Sequence, residues 1–284
     1  HQQPITDEET IKHLELSAVQ VAQQQLVEQE EQDYEHYYCV GYSVLHYQLD
    51  DDIIGSLIDQ KGDEASVEII ATFLPKVVVE SLMAVLQRAG LDMEALTLEP
   101  IAAIQVLIPE SMRRLNVALI DIGAGTSDVA ITNYGTIVAY GMVPMAGDEI
   151  TEAISDHYLL DFKEAEQAKR DLVNHGVATI TDILGFETNL TREDVVEQIK
   201  PKIIALAKAL TEEVLRLNKK APQAVMLIGG GSLTPELSSI LATQLHLPPN
   251  RVAVRGMEAV QNIEKHTELP TGPDFITPIG IAIA

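Results

Sequence analysis

One stretch, Asn116–Thr132, constrains this chain more than any other: Asn-Val-Ala-Leu-Ile-Asp-Ile-Gly-Ala-Gly-Thr-Ser-Asp-Val-Ala-Ile-Thr. Val117–Ile122 is an apolar run of strand length, and Asp128–Thr132 resumes a β-branched pattern after the glycines. The segment therefore predicts a hairpin turning at Gly123-Ala124-Gly125. Glycines at such a turn let the backbone approach a ligand closely, and successive exposed N–H groups form a concave nest for phosphate oxygens. Thr126 and Ser127 add hydroxyls to the same rim. Two acids, Asp121 and Asp128, flank the turn. That arrangement suits a hydrated magnesium ion, which keeps several waters and takes one or two carboxylates. The alternative reading is an ordinary hairpin with solvated acids at its mouth.

With 284 residues the chain exceeds one typical domain, so two domains are expected. A net charge of −24 argues against a nucleic-acid partner or an anionic membrane surface, both of which favour basic patches. Cys39 is the only cysteine, which excludes an intrachain disulfide or a Cys-ligated cluster and fits a reducing compartment. No apolar run reaches the roughly 18 residues of a spanning helix, and no signal peptide opens the sequence. The first residue is His1, so a fragment of something longer is expected.

Along the chain, Thr6 and Glu9 form a capping-box pair ahead of a helix whose apolar face is Ile11, Leu14, Ala18 and Ala22; residues 23–36 are expected to fray or loop out. Tyr37–Leu49 and Val67–Leu74 read as strands, with tyrosines as half-buried strand residues. Asp50-Asp51-Asp52 reads as a solvated turn. Pro75 starts a helix with Val78, Leu82, Val85, Leu86 and Ala89 on one face, ended by Gly90. His36 and His46 read as structural. Residues 1–92 thus make a small α+β unit without a catalytic constellation, and residues 93–284 a second unit.

In that second unit, Glu99 precedes an alanine-rich helix, Thr136–Pro144 gives a third strand, and Asp148 is expected to cap the next helix. A further helix carries Glu164, Glu166, Lys169 and Arg170. Thr191 and Asp194 open a long helix that Pro201 is expected to kink or divide. Val225–Ile228 is a short buried strand running into a second glycine turn, Gly229-Gly230-Gly231-Ser232, at a strand-to-helix junction. Pro278–Ala282 is a small-residue segment suited to close helix packing.

These residues carry a resemblance. Asp121–Asp128 resembles the second phosphate motif of the actin and heat-shock-chaperone ATPase superfamily. Leu98–Ala103 resembles its first connecting helix, Leu227–Ser232 its adenosine motif, and Pro278–Ala284 its second connecting helix; Ala165–Arg170 matches the segment that contacts ribose and adenine in the chaperone branch. Within the superfamily the sequence resembles the bacterial cell-division FtsA family. Ile5-Thr6-Asp7-Glu8-Glu9 and Leu86–Leu91 are similar to the opening and end of that family's inserted 1C subdomain, and Ala146–Thr151 and Glu164-Ala165-Glu166 follow at family spacing. The pilus-assembly protein PilM and an ethanolamine-utilisation chaperone share several of these motifs and stay open as alternatives.

The resemblance implies an α/β fold. Residues 1–92 would be the 1C-like subdomain and residues 93–284 the second half of an actin-type ATPase, a mixed sheet flanked by helices with a 2B subdomain near 160–221. It implies ATP and Mg2+ as cofactors. Asp121 and Asp128 would organise the metal through water, Gly123, Ala124, Gly125, Thr126 and Ser127 would face the β- and γ-phosphates together with Gly147, and Glu99 would polarise the attacking water. Glu166, Lys169 and Arg170 would hold ribose and base, with Gly229, Gly230, Gly231 and Ser232 supporting the adenosine. The implied function is an adaptor linking FtsZ filaments to the division machinery and membrane. Its partners would be the FtsZ C-terminal tail, received by 2B with Lys200, Lys202 and Lys208 nearby, and other copies met through the 1C-like unit. Its place would be cytoplasmic, peripheral to the inner face of the cell membrane through a segment outside this sequence. Any hydrolysis would be slow.

The sequence departs from the family in two glycines. Ala124 stands where the phosphate turn usually has glycine, with a strain of about 1 kcal/mol if it takes positive φ. Ala146 replaces the first of a glycine pair. Only one Asp-x-Gly phosphate hairpin occurs, so these 284 residues alone are expected to bind ATP weakly or not at all and to hydrolyse none above background. A sugar-kinase acceptor site, an iron–sulfur activating ATPase and a peptide-binding chaperone each lack their residues here.

Overall fold

The computed structural model of the chain describes residues 8–30, 37–94, 96–108, 115–133, 136–260 and 272–283. The Thr6–Glu9 capping pair, the Ile5–Asp7 part of the 1C-like opening and His36 therefore involve positions outside the described residues. The chain divides into two units, His1–Leu98 with Thr136–Val138, and Glu99–Gly135 with Ala139–Ala284.

The first unit is a three-stranded antiparallel sheet with two helices. Helix α1 (Glu8–Glu30) runs through much of the region expected to fray, because its glutamine- and glutamate-rich second half keeps good helix propensity. Strands β1 (Tyr37–Leu49), β2 (Asp52–Ile54) and β3 (Ala65–Pro75) pair in the order β2-β1-β3. Asp50 and Asp51 take positive φ in the two-residue turn between β1 and β2, and Asp50 Oδ1 accepts the N–H groups of Asp63 and Glu64 at 2.8 Å each, so the acidic run is a turn device. Glu15 of α1 accepts hydrogen bonds from Tyr42 and Tyr47 at 2.8 and 2.5 Å, tying helix to sheet.

Helix α2 (Lys76–Arg88) departs from expectation. Its buried residue is Val79, while Val78, Leu82 and Val85 of the expected core face are exposed. Pro75 ends β3 and caps α2 at once, so the strand sets the helix's rotation and overrides its own apolar stripe.

The second unit is built on a five-stranded mixed sheet. Helix α3 (Glu99–Leu107) leads into β4 (Val117–Ile122), β5 (Ser127–Asn133) and β6 (Thr136–Val143), followed by α4 (Gly147–Tyr158) and α5 (Phe162–His175). A two-stranded antiparallel pair, β7 (Val177–Thr181) and β8 (Glu187–Thr191), precedes the long α6 (Arg192–Asn218); then come β9 (Ala224–Ile228), α7 (Leu237–Gln244), β10 (Val252–Val254) and α8 (Ile276–Ile283). The sheet order is β10-β9-β4-β5-β6, with β4 antiparallel to β5 and parallel to β9. Central β4 is an apolar run because it is buried on both faces, all but Asp121.

Three expectations about helix ends meet the structure differently or closely. Pro201 sits inside an unbroken α6, whose buried residues on both sides of it, Ile199 and Ile203, hold the helix together where one backbone bond is lost. Helix α4 is capped by Ala146, with Asp148 already in its first turn, because the Glu149 side chain accepts the Ala146 N–H at 2.6 Å. Thr191 caps α6 as expected, accepting from the Asp194 N–H. The small-residue segment in α8 packs as its composition suggests: a Cβ on Gly280 would stand 2.3 Å from the Ala102 carbonyl of α3, so only glycine permits the crossing. Among the described residues no helix is long and apolar enough to cross a membrane.

Candidate functional site

The hairpin of β4 and β5 places the site. In its register Asp121 faces Asp128, so both carboxylates project from the same face of the sheet. Gly123, Ala124, Gly125 and Thr126 form the exposed turn, closed by a bond from the Gly123 N–H to the Thr126 carbonyl at 3.0 Å. Ala124 is not among the positive-φ residues, so the expected strain at this position does not arise.

Two other glycine-bearing segments press on that turn. The N–H groups of Gly147 and Asp148 donate to the carbonyls of Gly123 and Ala124 at 3.1 and 2.8 Å, docking the start of α4 against the hairpin. Gly229 lies at φ +78°, and a Cβ there would meet Asp121 Oδ1 at 2.3 Å and the Ile122 carbonyl at 2.4 Å. A Cβ on Gly231 would meet the Ile122 side chain at 2.5 Å. Both glycines are therefore required for the β9 turn to lie against β4.

A cavity of about 560 Å³ opens where these segments meet. Its lining joins Gly123 and Ala124, Gly147, the α5 side chains Glu166, Lys169 and Arg170, and Gly230 and Gly231. Its other wall is apolar, with Ile154, Val195, Ile199 and Leu233. The polar wall is preorganised. Lys169 Nζ donates to the Gly147 carbonyl at 3.0 Å and to Thr151 Oγ1 at 2.7 Å and pairs with Glu166 at 2.6 Å. Glu166 also accepts from Thr151 at 2.7 Å and from Arg170 at 2.8 Å. Burial alone would raise the Glu166 pKa, but the hydrogen bonds from Lys169, Thr151 and Arg170 outweigh it and hold the carboxyl below its ordinary range.

Other expected residues gather elsewhere. Asp121, Asp128 and Glu99 do not line the cavity and instead form an acidic cluster beside the turn end of the hairpin. Thr277 Oγ1 donates to Asp121 Oδ2 at 2.6 Å, and the Tyr140 hydroxyl donates to Asp128 Oδ1. The Asp121 carboxyl is raised above its usual range by burial first and by Asp128 as well, partly offset by Thr277. Glu99, though exposed, is raised by partial desolvation and by both aspartates. Ser127 and Ser232 are buried, and their hydroxyls are spent inside the fold on the carbonyls of Met145 at 2.7 Å and Gly229 at 2.6 Å. Gly125 and Thr126 lie on the turn outside the cavity lining.

The acid pair fits a hydrated divalent cation better than a dry one. No group of three His, Cys, Asp or Glu at metal-holding distance occurs among the described residues, whereas two carboxylates facing each other across the hairpin suit an ion that keeps most of its waters. Replacing Asp121 tests this electrostatic cost. An acid whose folded pKa is raised contributes most stability below its unfolded pKa and loses it as pH rises through the folded pKa. Asp121→Asn, which retains an acceptor for Thr277, is therefore expected to raise the melting temperature by a few degrees at pH 7, with the gain vanishing as pH falls below the carboxylate range. Thermal melts of both proteins from pH 3 to 8 check it; a gain that persists at pH 3 is not electrostatic.

Sequence reasoning missed Thr151, Tyr140 and Thr277. Thr151 lay inside the Ala146–Thr151 motif. Tyr140 and Thr277 carry no local signal, because a strand neighbour and a contact 156 residues away bring them in.

Comparison with known proteins places the chain. A family profile described as cell division protein FtsA matches residues 118–280, more than half of the 284. The chain belongs to the FtsA family. It is 25% identical over 195 residues to the cell division protein FtsA of Bacillus subtilis (strain 168), covering 63% of this chain and 44% of that one. The chain spans about half the length of the curated FtsA relatives it matches. In fold it is similar to a PilM-PilN type IV pilus biogenesis complex, with TM-score 0.66, 22% identity and coverage of 94% of this chain and 72% of that one. It is likewise similar to MreB 5 of Spiroplasma citri bound to AMPPNP, with TM-score 0.53, 18% identity and coverage of 74% and 64%. The actin-like fold is common to this FtsA-family chain and both structures.

Proposed function

We propose that this chain is the nucleotide-binding half of an actin-like cell-division protein, which binds ATP and links FtsZ filaments to the division machinery at the inner face of the cell membrane. The observation that carries the nucleotide reading is the cavity itself. It joins the hairpin turn, the α4 start, the Glu166–Lys169–Arg170 face and the second glycine turn, four segments far apart in sequence and each nominated independently by its motif. The MreB 5 structure, with the same fold, holds a nucleotide analogue.

In this reading the turn of Gly123 and Ala124 approaches the phosphates, Glu166 and Lys169 hold the ribose hydroxyls, and Arg170 and Leu233 flank the base. The acid pair fits Mg2+ held through water, with Glu99, its carboxyl raised, beside them to accept a proton from a nucleophilic water. A bound Mg2+ would supply charge neutralisation for the phosphates. The FtsZ tail is assigned to the unit's α5–α6 region, where Lys200 pairs with Glu236 and Lys202 and Lys208 are exposed, and self-association to the first unit.

Titration of ATP and of an FtsZ C-terminal peptide into the isotope-labelled chain, followed by NMR, tests both parts. ATP is expected to shift cavity resonances with weak, millimolar-range affinity, and the peptide to shift α6 resonances. No shift at about 10 mM ATP overturns the reading that this chain by itself holds the nucleotide. A pilus-assembly adaptor is the second reading, favoured by a fold likeness covering 94% of the chain; binding of a pilus-assembly peptide in place of the FtsZ tail would select it.

A further inference from the structure

We infer that Tyr140 and Thr277 are positioning residues for a divalent cation, their hydroxyls orienting the carboxylates of Asp128 and Asp121 without neutralising them. The inference rests on the metal-assisted nucleotide reading above and extends it to two residues that no motif nominates. Thr277 Oγ1 donates to Asp121 Oδ2 at 2.6 Å, and the Tyr140 hydroxyl donates to Asp128 Oδ1. Each carboxylate keeps a second oxygen that has no other hydrogen-bond partner among the described residues.

The choice of partner is what separates this cluster from a stabilising one. Glu166, in the cavity wall, is paired with Lys169 and Arg170, which cancel its charge. Asp121 and Asp128, facing each other across the hairpin with Glu99 beside them, have no Lys, Arg or His pair among the described residues. A neutral hydroxyl donates a proton to a carboxylate and leaves the full negative charge in place, so two such donors fix geometry while preserving attraction for a cation. A fold selected only for stability gains nothing from locking two like charges at one hairpin. The donors also come from separate places. Tyr140 sits on β6, whose neighbour in the sheet is β5, and Thr277 sits at the start of α8, which Gly280 holds tightly against α3. Thr277 is on a helix fixed by packing and Tyr140 on a strand hydrogen-bonded to β5, and a donor held on such an element can keep a carboxylate in one orientation.

The test uses Mn2+ alone as probe, read by water-proton relaxation on the whole chain, with ATP affinity without metal measured alongside. Wild type is expected to bind Mn2+, and Tyr140→Phe and Thr277→Val to weaken it about tenfold each, as outer partners of metal ligands do. Thr277→Ser, which keeps the hydroxyl, is expected to stay within about twofold of wild type, and metal-free ATP affinity to be unchanged in all three. Unchanged Mn2+ binding in both Tyr140→Phe and Thr277→Val overturns the inference, as does loss of Mn2+ binding in Thr277→Ser equal to that in Thr277→Val, which would mark a structural role. Absence of Mn2+ binding by the folded wild type overturns it too. Tyr140-dependent Mn2+ binding by a chain that takes up no ATP would uphold the inference while the nucleotide reading falls.

Discussion

Gly229→Ala is expected to destabilise the second unit by about 3 kcal/mol, summing left-handed strain with an overpacking penalty of similar size. At φ +78° an L side chain is strained whatever space surrounds it, and here there is none. The new Cβ would stand 2.3 Å from Asp121 Oδ1 and 2.4 Å from the Ile122 carbonyl, and the second of these is backbone that only a shift of β4 could relieve. Asp121 would have to move as well, so its bond with Thr277 is expected to go with it. Gly230→Ala is the matched control, since a Cβ there meets nothing within 4 Å and the residue has no positive φ. Urea unfolding monitored by circular dichroism compares them. Equal midpoints for the two variants would mean that the glycine turn is not pressed against β4.

Lys169→Met is expected to lower ATP affinity tenfold or more, equivalent to about 1.4 kcal/mol, and to cost the fold a further 1–2 kcal/mol or so. Methionine keeps the length of the stem and removes the charge. Lys169 is mostly covered, with its side chain 20% exposed, and its ammonium joins two helices of the cavity wall, through Gly147 and Thr151 of α4 and Glu166 of α5. Without it Glu166 keeps Thr151 and Arg170 but loses its shortest partner, and its carboxylate is free to swing toward Arg170. Because the Glu166 pKa is lowered in the fold, its stabilising contribution is present above the unfolded pKa and is lost as pH falls through the folded one. The stability difference between wild type and Lys169→Met should therefore narrow in acid. A variant that loses affinity at constant stability across that range would place Lys169 in ligand contact alone, and one that loses neither would remove it from the site.

The sequence made the central hairpin legible because its information is local. A buried apolar strand, a glycine turn and two acids occur within seventeen consecutive positions, and the structure pairs them in the register that puts Asp121 opposite Asp128. The Glu166–Arg170 face was legible too, since helical spacing alone gathers those side chains. What could not be read was set by partners distant in sequence. The hydroxyls of Ser127 and Ser232 look available on paper and are consumed by the carbonyls of Met145 and Gly229. The apolar stripe of α2 predicts a buried face, yet the strand that feeds the helix turns much of that stripe outward. Ala124 looked like a strained substitution because a family pattern had glycine there, but this turn closes without positive φ. The Asp148 cap failed through competition, as the Glu149 carboxylate already satisfies the helix's first free donor.

Strand β4 has one neighbour that follows it at once and another that arrives far later. During synthesis β5 can fold back as soon as the turn emerges, but the other edge of β4 waits for Val225 and its neighbours, and Asp121 waits for Thr277, 156 residues downstream. Until then a nascent chain displays an apolar strand with one row of unsatisfied amides and carbonyls, the kind of edge that recruits foreign strands. Such distant pairings also raise contact order, which slows folding relative to a chain closed by hairpins alone. The order of emergence therefore leaves one edge of β4 unpaired for longer than a sheet closed by hairpins alone would.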